Sequence, residues 1–84
     1  MTIFVANFDS DTDESDLRTL FEKFGLVLDV QIAIDWKTGE QLNYGFIEMP
    51  NDGEAGYAIE KLDGKRWNGR WLKVREKEER RRRY

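Results

Sequence analysis

Over Leu42-Asn43-Tyr44-Gly45-Phe46-Ile47-Glu48-Met49 the side chains sort into two alternating sets, with Gly45, Ile47 and Met49 in one and Tyr44, Phe46 and Glu48 in the other. Successive side chains of a strand point to opposite faces. The stretch therefore predicts a strand with one core face and a second face that carries two aromatic rings. Ile3-Phe4-Val5-Ala6-Asn7-Phe8 repeats the arrangement near the start of the chain, with Ile3 and Val5 on one side and Phe4 on the other. Two strands with matching outward rings make a platform on which flat ligands can stack.

The remaining pattern fills in the elements around these strands. Asp9-Ser10-Asp11 favours a turn after the first strand. Asp11 or Thr12 can then cap a helix over about 12–24. Asp13, Glu14 and Asp16 suit its positive end, and Leu17, Leu20, Phe21 and Phe24 follow helical spacing before Gly25. Val27, Val30, Ile32 and Ile34 mark a second strand of irregular period, and the glycine-containing segment Asp35 to Glu40 turns it into the third. After Pro50, Asn51 with Glu54 caps a second helix, in which Ala55, Ala58, Ile59 and Leu62 face inward and which stops at Asp63-Gly64. Gly56 weakens it by about 1 kcal/mol relative to Ala. Gly64 and Gly69 flank a short connection through Trp67. A last strand follows, with Leu72 and Val74 on one face and Trp71, Lys73 and Arg75 on the other. The order β-α-β-β-α-β predicts an α+β, ferredoxin-like (split βαβ) fold, a four-stranded antiparallel sheet with both helices on one side. Residues 1–76 form this domain and 77–84 an arginine-rich extension.

With 84 residues, the chain is one domain that buries roughly 60% of its unfolded surface. It has no cysteine and no histidine, which removes the thiolate nucleophile, the usual general base and the commonest transition-metal ligands. We therefore expect no enzyme, no metal, no cofactor and no small-molecule substrate. No apolar run approaches the ~20 residues of a membrane span. Met1 leads almost directly into the first strand, so a soluble, cytoplasmic protein is the expectation; a monomer is expected as well. Charge is uneven: residues 1–72 hold seven Lys and Arg against fourteen Asp and Glu, whereas 73–84 hold seven against three. Phosphate contacts by Lys and Arg supply most non-specific affinity for nucleic acids, so an acidic body must hold any polyanion locally.

Several side chains bear on such a ligand. Lys73 and Arg75 alternate with Leu72 and Val74 and so face the platform, where they can meet phosphates. Asn7 either hydrogen-bonds a base edge or caps the turn into Asp9, and Gln31 is a second base-edge candidate. Trp71 either extends the platform or lies beside Trp67. Trp36, in the polar hairpin, is read as packing on Lys37 and Leu42 in preference to clamping a nucleotide. Arg80, Arg81, Arg82 and Arg83 attract phosphate, although in a helix Glu76, Glu78 and Glu79 would pair with Arg80, Arg82 and Arg83 at i,i+4.

These residues together resemble the RNA-recognition motif family. Residues 42–49 are similar to its octamer and 3–8 to its hexamer. The resemblance covers about 2–75, including Phe21-Glu22-Lys23-Phe24-Gly25, Thr38-Gly39 and Gly69-Arg70-Trp71-Leu72-Lys73-Val74. It implies that Phe4, Tyr44 and Phe46 stack on two or three unpaired nucleotides of single-stranded RNA, or in vitro of single-stranded DNA. It further implies a likeness to short single-domain bacterial proteins acting in post-transcriptional regulation or RNA chaperoning. The chain departs from the octamer at Leu42, where a basic residue is usual, at Asn43 in place of glycine and at Met49 in place of an aromatic. In the hexamer Ala6 stands where glycine is frequent. The loss of one basic residue at Leu42 lowers the salt slope by roughly 0.7 for a single strand. The rival reading is a protein-interaction module of the same fold, using a covered sheet or the acidic residues Asp13, Glu14, Asp16, Glu22, Glu54 and Glu60. An acylphosphatase-like enzyme would need a glycine-rich anion loop near the first strand, and none is visible.

Overall fold

The computed structural model describes residues 1–77. Its elements are β1 (Thr2–Ala6), α1 (Glu14–Glu22), β2 (Asp29–Ile34), β3 (Gln41–Glu48), α2 (Asp52–Leu62), β4 (Arg66–Trp67), β5 (Arg70–Trp71) and β6 (Lys73–Glu76). Four strands form an antiparallel sheet in the order β2-β3-β1-β6. Ile3, Val5, Val30, Ile47 and Val74 leave one face of it and join Leu17, Leu20 and Phe21 of α1 and Ala55, Ala58 and Leu62 of α2 in a single buried cluster. Both helices therefore lie on that face, as the periodicity predicts, and Met49 is buried with them.

Local chemistry moves several boundaries. The first helix starts at Glu14, not at 12, because Asp11 and Thr12 are drawn into a turn on Asp9: the Asp11 N–H donates to Asp9 Oδ1 and the Thr12 N–H to the Asp9 carbonyl. The cap is Asp13, which accepts from the Asp16 N–H while Asp16 accepts from the Asp13 N–H, a reciprocal capping box. The helix ends at Glu22, and Phe24 follows it outside the helix, partly buried against the core. Asn51 caps α2, as expected, by accepting from the Glu54 N–H at 2.9 Å.

The first strand ends at Ala6 because Asn7 adopts φ 70°. That left-handed turn breaks the alternation and swings Phe8 into the core, where it is fully buried. Asn43 faces it with φ 63°. The two are tied by Asn7 N–H to the Asn43 carbonyl and by Asn43 Nδ2 to the Phe8 carbonyl. Asparagine tolerates this conformation better than most residues, so Asn43 meets the backbone requirement of a position where the octamer carries glycine. On β2 a register shift between Ile32 and Ile34 explains the irregular period and leaves Ile34 exposed.

The segment between α2 and the last strand differs most from expectation. Arg66–Trp67 and Arg70–Trp71 pair as a separate hairpin, closed by Asn68 and Gly69 at φ 51° and 83°. Positive φ at both central residues is the turn whose twist suits a two-residue hairpin. Trp71 therefore belongs to this hairpin and not to the main sheet, whose last strand begins at Lys73.

Candidate nucleic-acid interface

The sheet face away from the helices carries the aromatic side chains, and strand register sets their order. Phe4 lies opposite Phe46 on β3 and Arg75 on β6; Ala6 lies opposite Tyr44 and Lys73; Gln31 of β2 lies opposite Phe46. The ring of Phe4 is 5.9 Å from that of Tyr44 and 5.8 Å from that of Phe46, and the Tyr44 and Phe46 rings are 6.1 Å apart. These spacings fall in the range of interacting aromatic pairs. The three rings thus brace one another while Tyr44 remains exposed and Phe4 and Phe46 half-buried. Ala6, small and central, leaves the middle of the face low.

A hollow of about 700 Å³ opens beside the rings, lined among others by Phe4, Tyr44, Leu42, Trp71 and Lys73. The β4–β5 hairpin forms its wall. Asn7 holds that wall in place: its Nδ2 donates to the Trp71 carbonyl at 2.8 Å and its Oδ1 accepts from Arg70 Nη2 at 2.7 Å. Asn7 therefore ties the hairpin to the sheet instead of capping the turn into Asp9. Trp71 is 59% exposed, with the Arg66 guanidinium 5.4 Å from its ring. This resolves its position: it stands beside the platform, carried by a hairpin that sequence reading missed although Asn68-Gly69 signals it. Trp36 is 85% exposed with Lys37 Nζ 5.5 Å from its ring, so it stacks on Lys37 and lies outside this hollow.

The cations divide. Lys73 is exposed and makes no ion pair among the described residues. Arg75 turns back to the end of α2, where its Nη1 meets Asp63 Oδ1 at 2.6 Å. Asp63 Oδ1 also accepts from the Val74 N–H at 3.0 Å. That backbone bond, with the Arg75 guanidinium beside it, holds the Asp63 carboxyl below its ordinary value against the opposing effect of burial. Gln31 Nε2 donates to Asp29 Oδ2 of the same strand, β2, at 3.4 Å.

Lys77 is a further cation on this face. Its N–H donates to the Thr2 carbonyl at 2.8 Å, continuing the β1–β6 ladder, and its Nζ lies 6.0 Å from the Phe46 ring. The alternation Trp71, Lys73, Arg75 extends to Lys77, a signal that a domain boundary at 76 hides. Arg80, Arg81, Arg82 and Arg83, with their i,i+4 partners Glu78 and Glu79, lie outside the described residues. Among the described residues no cluster of acidic side chains has metal-binding geometry and no helix is long and apolar enough to cross a membrane.

Comparison with known proteins places this architecture. The RNA recognition motif family matches residues 3–73. The "Putative RNA-binding protein RbpA" of Synechocystis sp. is 45% identical over 74 residues, which span 88% of this chain and 73% of that protein. The "Putative RNA-binding protein RbpB" of Nostoc sp. is likewise 45% identical, over 88% of this chain and 72% of its own length. Among solved structures, the crystal structure of RNA binding protein PG1 superposes with a TM-score of 0.91 at 35% identity, covering 98% of this chain and 99% of that one. The chain belongs to the RNA recognition motif family.

Proposed function

We propose that this protein binds short single-stranded RNA by stacking unpaired bases on Phe4, Tyr44 and Phe46, without catalysis. The observation that carries the proposal is the cluster of three mutually braced rings on the sheet face that the helices leave open. Stacking on side chains is worth about 1–3 kcal/mol per base. Three rings therefore give a gross figure of roughly 3–9 kcal/mol, from which the ordering of a flexible strand is subtracted. Micromolar affinity, about −8 kcal/mol, is the upper expectation for the domain alone.

Each remaining group takes a role that follows from its position. Lys73 and Lys77 flank the rings and neutralise phosphates. Trp71 and Leu42, both exposed and both lining the hollow beside Tyr44, offer an apolar contact to a further nucleotide where the family's basic octamer residue is missing. Arg75, held by Asp63, contributes less than Lys73. Base-edge contacts fall to Gln31 and to backbone groups, with Asn7 acting through the hairpin that it anchors. Such a protein serves in post-transcriptional regulation or RNA chaperoning in the cytoplasm, with the arginine-rich residues after Lys77 as a basic extension of the domain. The rival reading, an acidic helical face, loses support because four of its six residues are engaged within the fold: Asp13 and Asp16 cap α1, Glu22 pairs with Arg18 at 3.6 Å, and Glu54 accepts from the Leu26 N–H.

The test is fluorescence anisotropy with a labelled degenerate RNA hexamer. Phe4→Ala and Phe46→Ala each weaken binding by about 5- to 150-fold, the equivalent of 1–3 kcal/mol, while circular dichroism stays native. Unchanged affinity in a folded double variant contradicts the stacking mechanism.

A further inference from the structure

On the helical side of the molecule, opposite the ring-bearing face, a groove of about 350 Å³ runs between the C-terminal ends of the two helices. Its lining is Leu20, Lys23, Phe24, Tyr57, Lys61, Leu62 and Lys65, three lysines and no carboxylate. Residues 1–72 contain only seven cations against fourteen acids, and three of the seven meet here. The other four are engaged elsewhere: Arg18 with Glu22 and the Val27 carbonyl, Lys37 with Trp36, Arg66 with Trp71 and Arg70 with Asn7. Lys23, Lys61 and Lys65 have no carboxylate partner among the described residues.

The fold brings these groups to one groove. Lys23 is the C-cap of α1 and Lys61 lies in the last turn of α2. After α2, Asp63 at ψ 123° and Gly64 at φ 81° form a tight turn in which the Lys65 N–H donates to the Leu62 carbonyl at 3.0 Å. That turn brings Lys65 back beside the groove. Between the lysines, Phe24 and Tyr57 meet edge to face with centroids 5.7 Å apart, and Lys61 Nζ lies 5.4 Å from the Tyr57 ring. Cations at helix C-termini are favoured by the helix dipole, which accounts for Lys23 and Lys61. It accounts neither for Lys65 nor for a tyrosine that is 51% exposed between them.

We propose that this groove is a docking site for an acidic peptide segment of a partner protein, with an apolar side chain seated on Phe24 and Tyr57 and flanking carboxylates on Lys23, Lys61 and Lys65. Charge complementarity argues for this occupant: a groove lined by three lysines and no carboxylate selects a negatively charged partner. A peptide is favoured over RNA because the Tyr57 ring already carries an ammonium over its face and a phenyl ring at its side, an arrangement that suits packing of an aliphatic side chain better than stacking of a base. The site is independent of RNA binding and would let the protein hold RNA and a partner at once on opposite faces.

The test is an NMR titration of the full chain with a blocked octapeptide alternating Glu and Leu. Parallel titrations use the same peptide with Lys in place of Glu and a single-stranded RNA hexamer. The proposal predicts shifts at Phe24, Tyr57, Lys61 and Lys65 with the Glu-Leu peptide alone. Lys61→Glu and Lys65→Glu each reduce that affinity at least tenfold, and Tyr57→Ala does so with charge retained. Lys61→Gln, which keeps the side-chain length, serves if the reversal disturbs the helix. No shifts at the groove, equal response to both peptides, or unchanged affinity in folded variants overturns the proposal. Shifts at these residues with the RNA hexamer overturn it in favour of a second phosphate-binding surface.

Discussion

Gly45 shows how one residue can secure both the platform and the core. It sits between Tyr44 and Phe46 on the buried face of β3, where a Cβ would run into the Gln31 carbonyl oxygen and the Ile32 backbone of the neighbouring strand. Backbone cannot yield as a side-chain tip does, so Gly45→Ala is expected to destabilise by roughly 1–3 kcal/mol, measurable by urea denaturation. Asp63 makes a prediction in pH. Its carboxyl is held below the ordinary value by the Val74 N–H and Arg75, so its contribution is present above the unfolded carboxylate range and is lost as pH falls through the lower folded value. The pair is substantially exposed, which keeps the effect to about 1 kcal/mol. Asp63→Asn should therefore be less stable than the parent at pH 7 and equal to it at strongly acidic pH. A gap that persists in acid would assign the loss to packing. Alternation displayed the outward rings plainly, but nothing in it revealed that Asn7 and Arg75 would be occupied by partners distant in sequence.

At the level of elements, the four main strands and both helices were legible because their apolar spacing is regular and their ends carry recognisable caps. The errors fall where short-range hydrogen bonds compete with periodicity. Asp9 draws Asp11 and Thr12 into a turn and delays the first helix to Glu14. Asn7 at positive φ ends β1 and sends Phe8 inward. The β4–β5 hairpin was hidden because each strand is only two residues long, too short for a period, although its Asn-Gly turn is written in the sequence. A β-branched residue strongly resists the φ of 51° at Asn68. Asn68→Val should thus disorder the hairpin and Trp71 while barely altering the global unfolding midpoint, seen as lost amide protection confined to residues 66–71.

Among the described residues of the whole molecule, an acidic body carries two groups of lysines: Lys73 and Lys77 beside the rings, and Lys23, Lys61 and Lys65 between the helix ends. Binding on the ring face should accordingly depend only moderately on salt. Lys77→Ala lowers the slope of log K against log salt by roughly 0.7, and Leu42→Lys raises it by a similar amount. Slopes that do not move would separate these positions from the path of the phosphates. The most direct test of the central claim is a chemical-shift titration of the labelled full chain with a degenerate single-stranded RNA hexamer, at low and then moderate salt. Stacking on the sheet predicts the largest shifts at Phe4, Tyr44, Phe46 and Lys73, persisting as salt rises. Shifts confined to the arginines at 80–83 and erased by salt, with the rings unmoved, would contradict it.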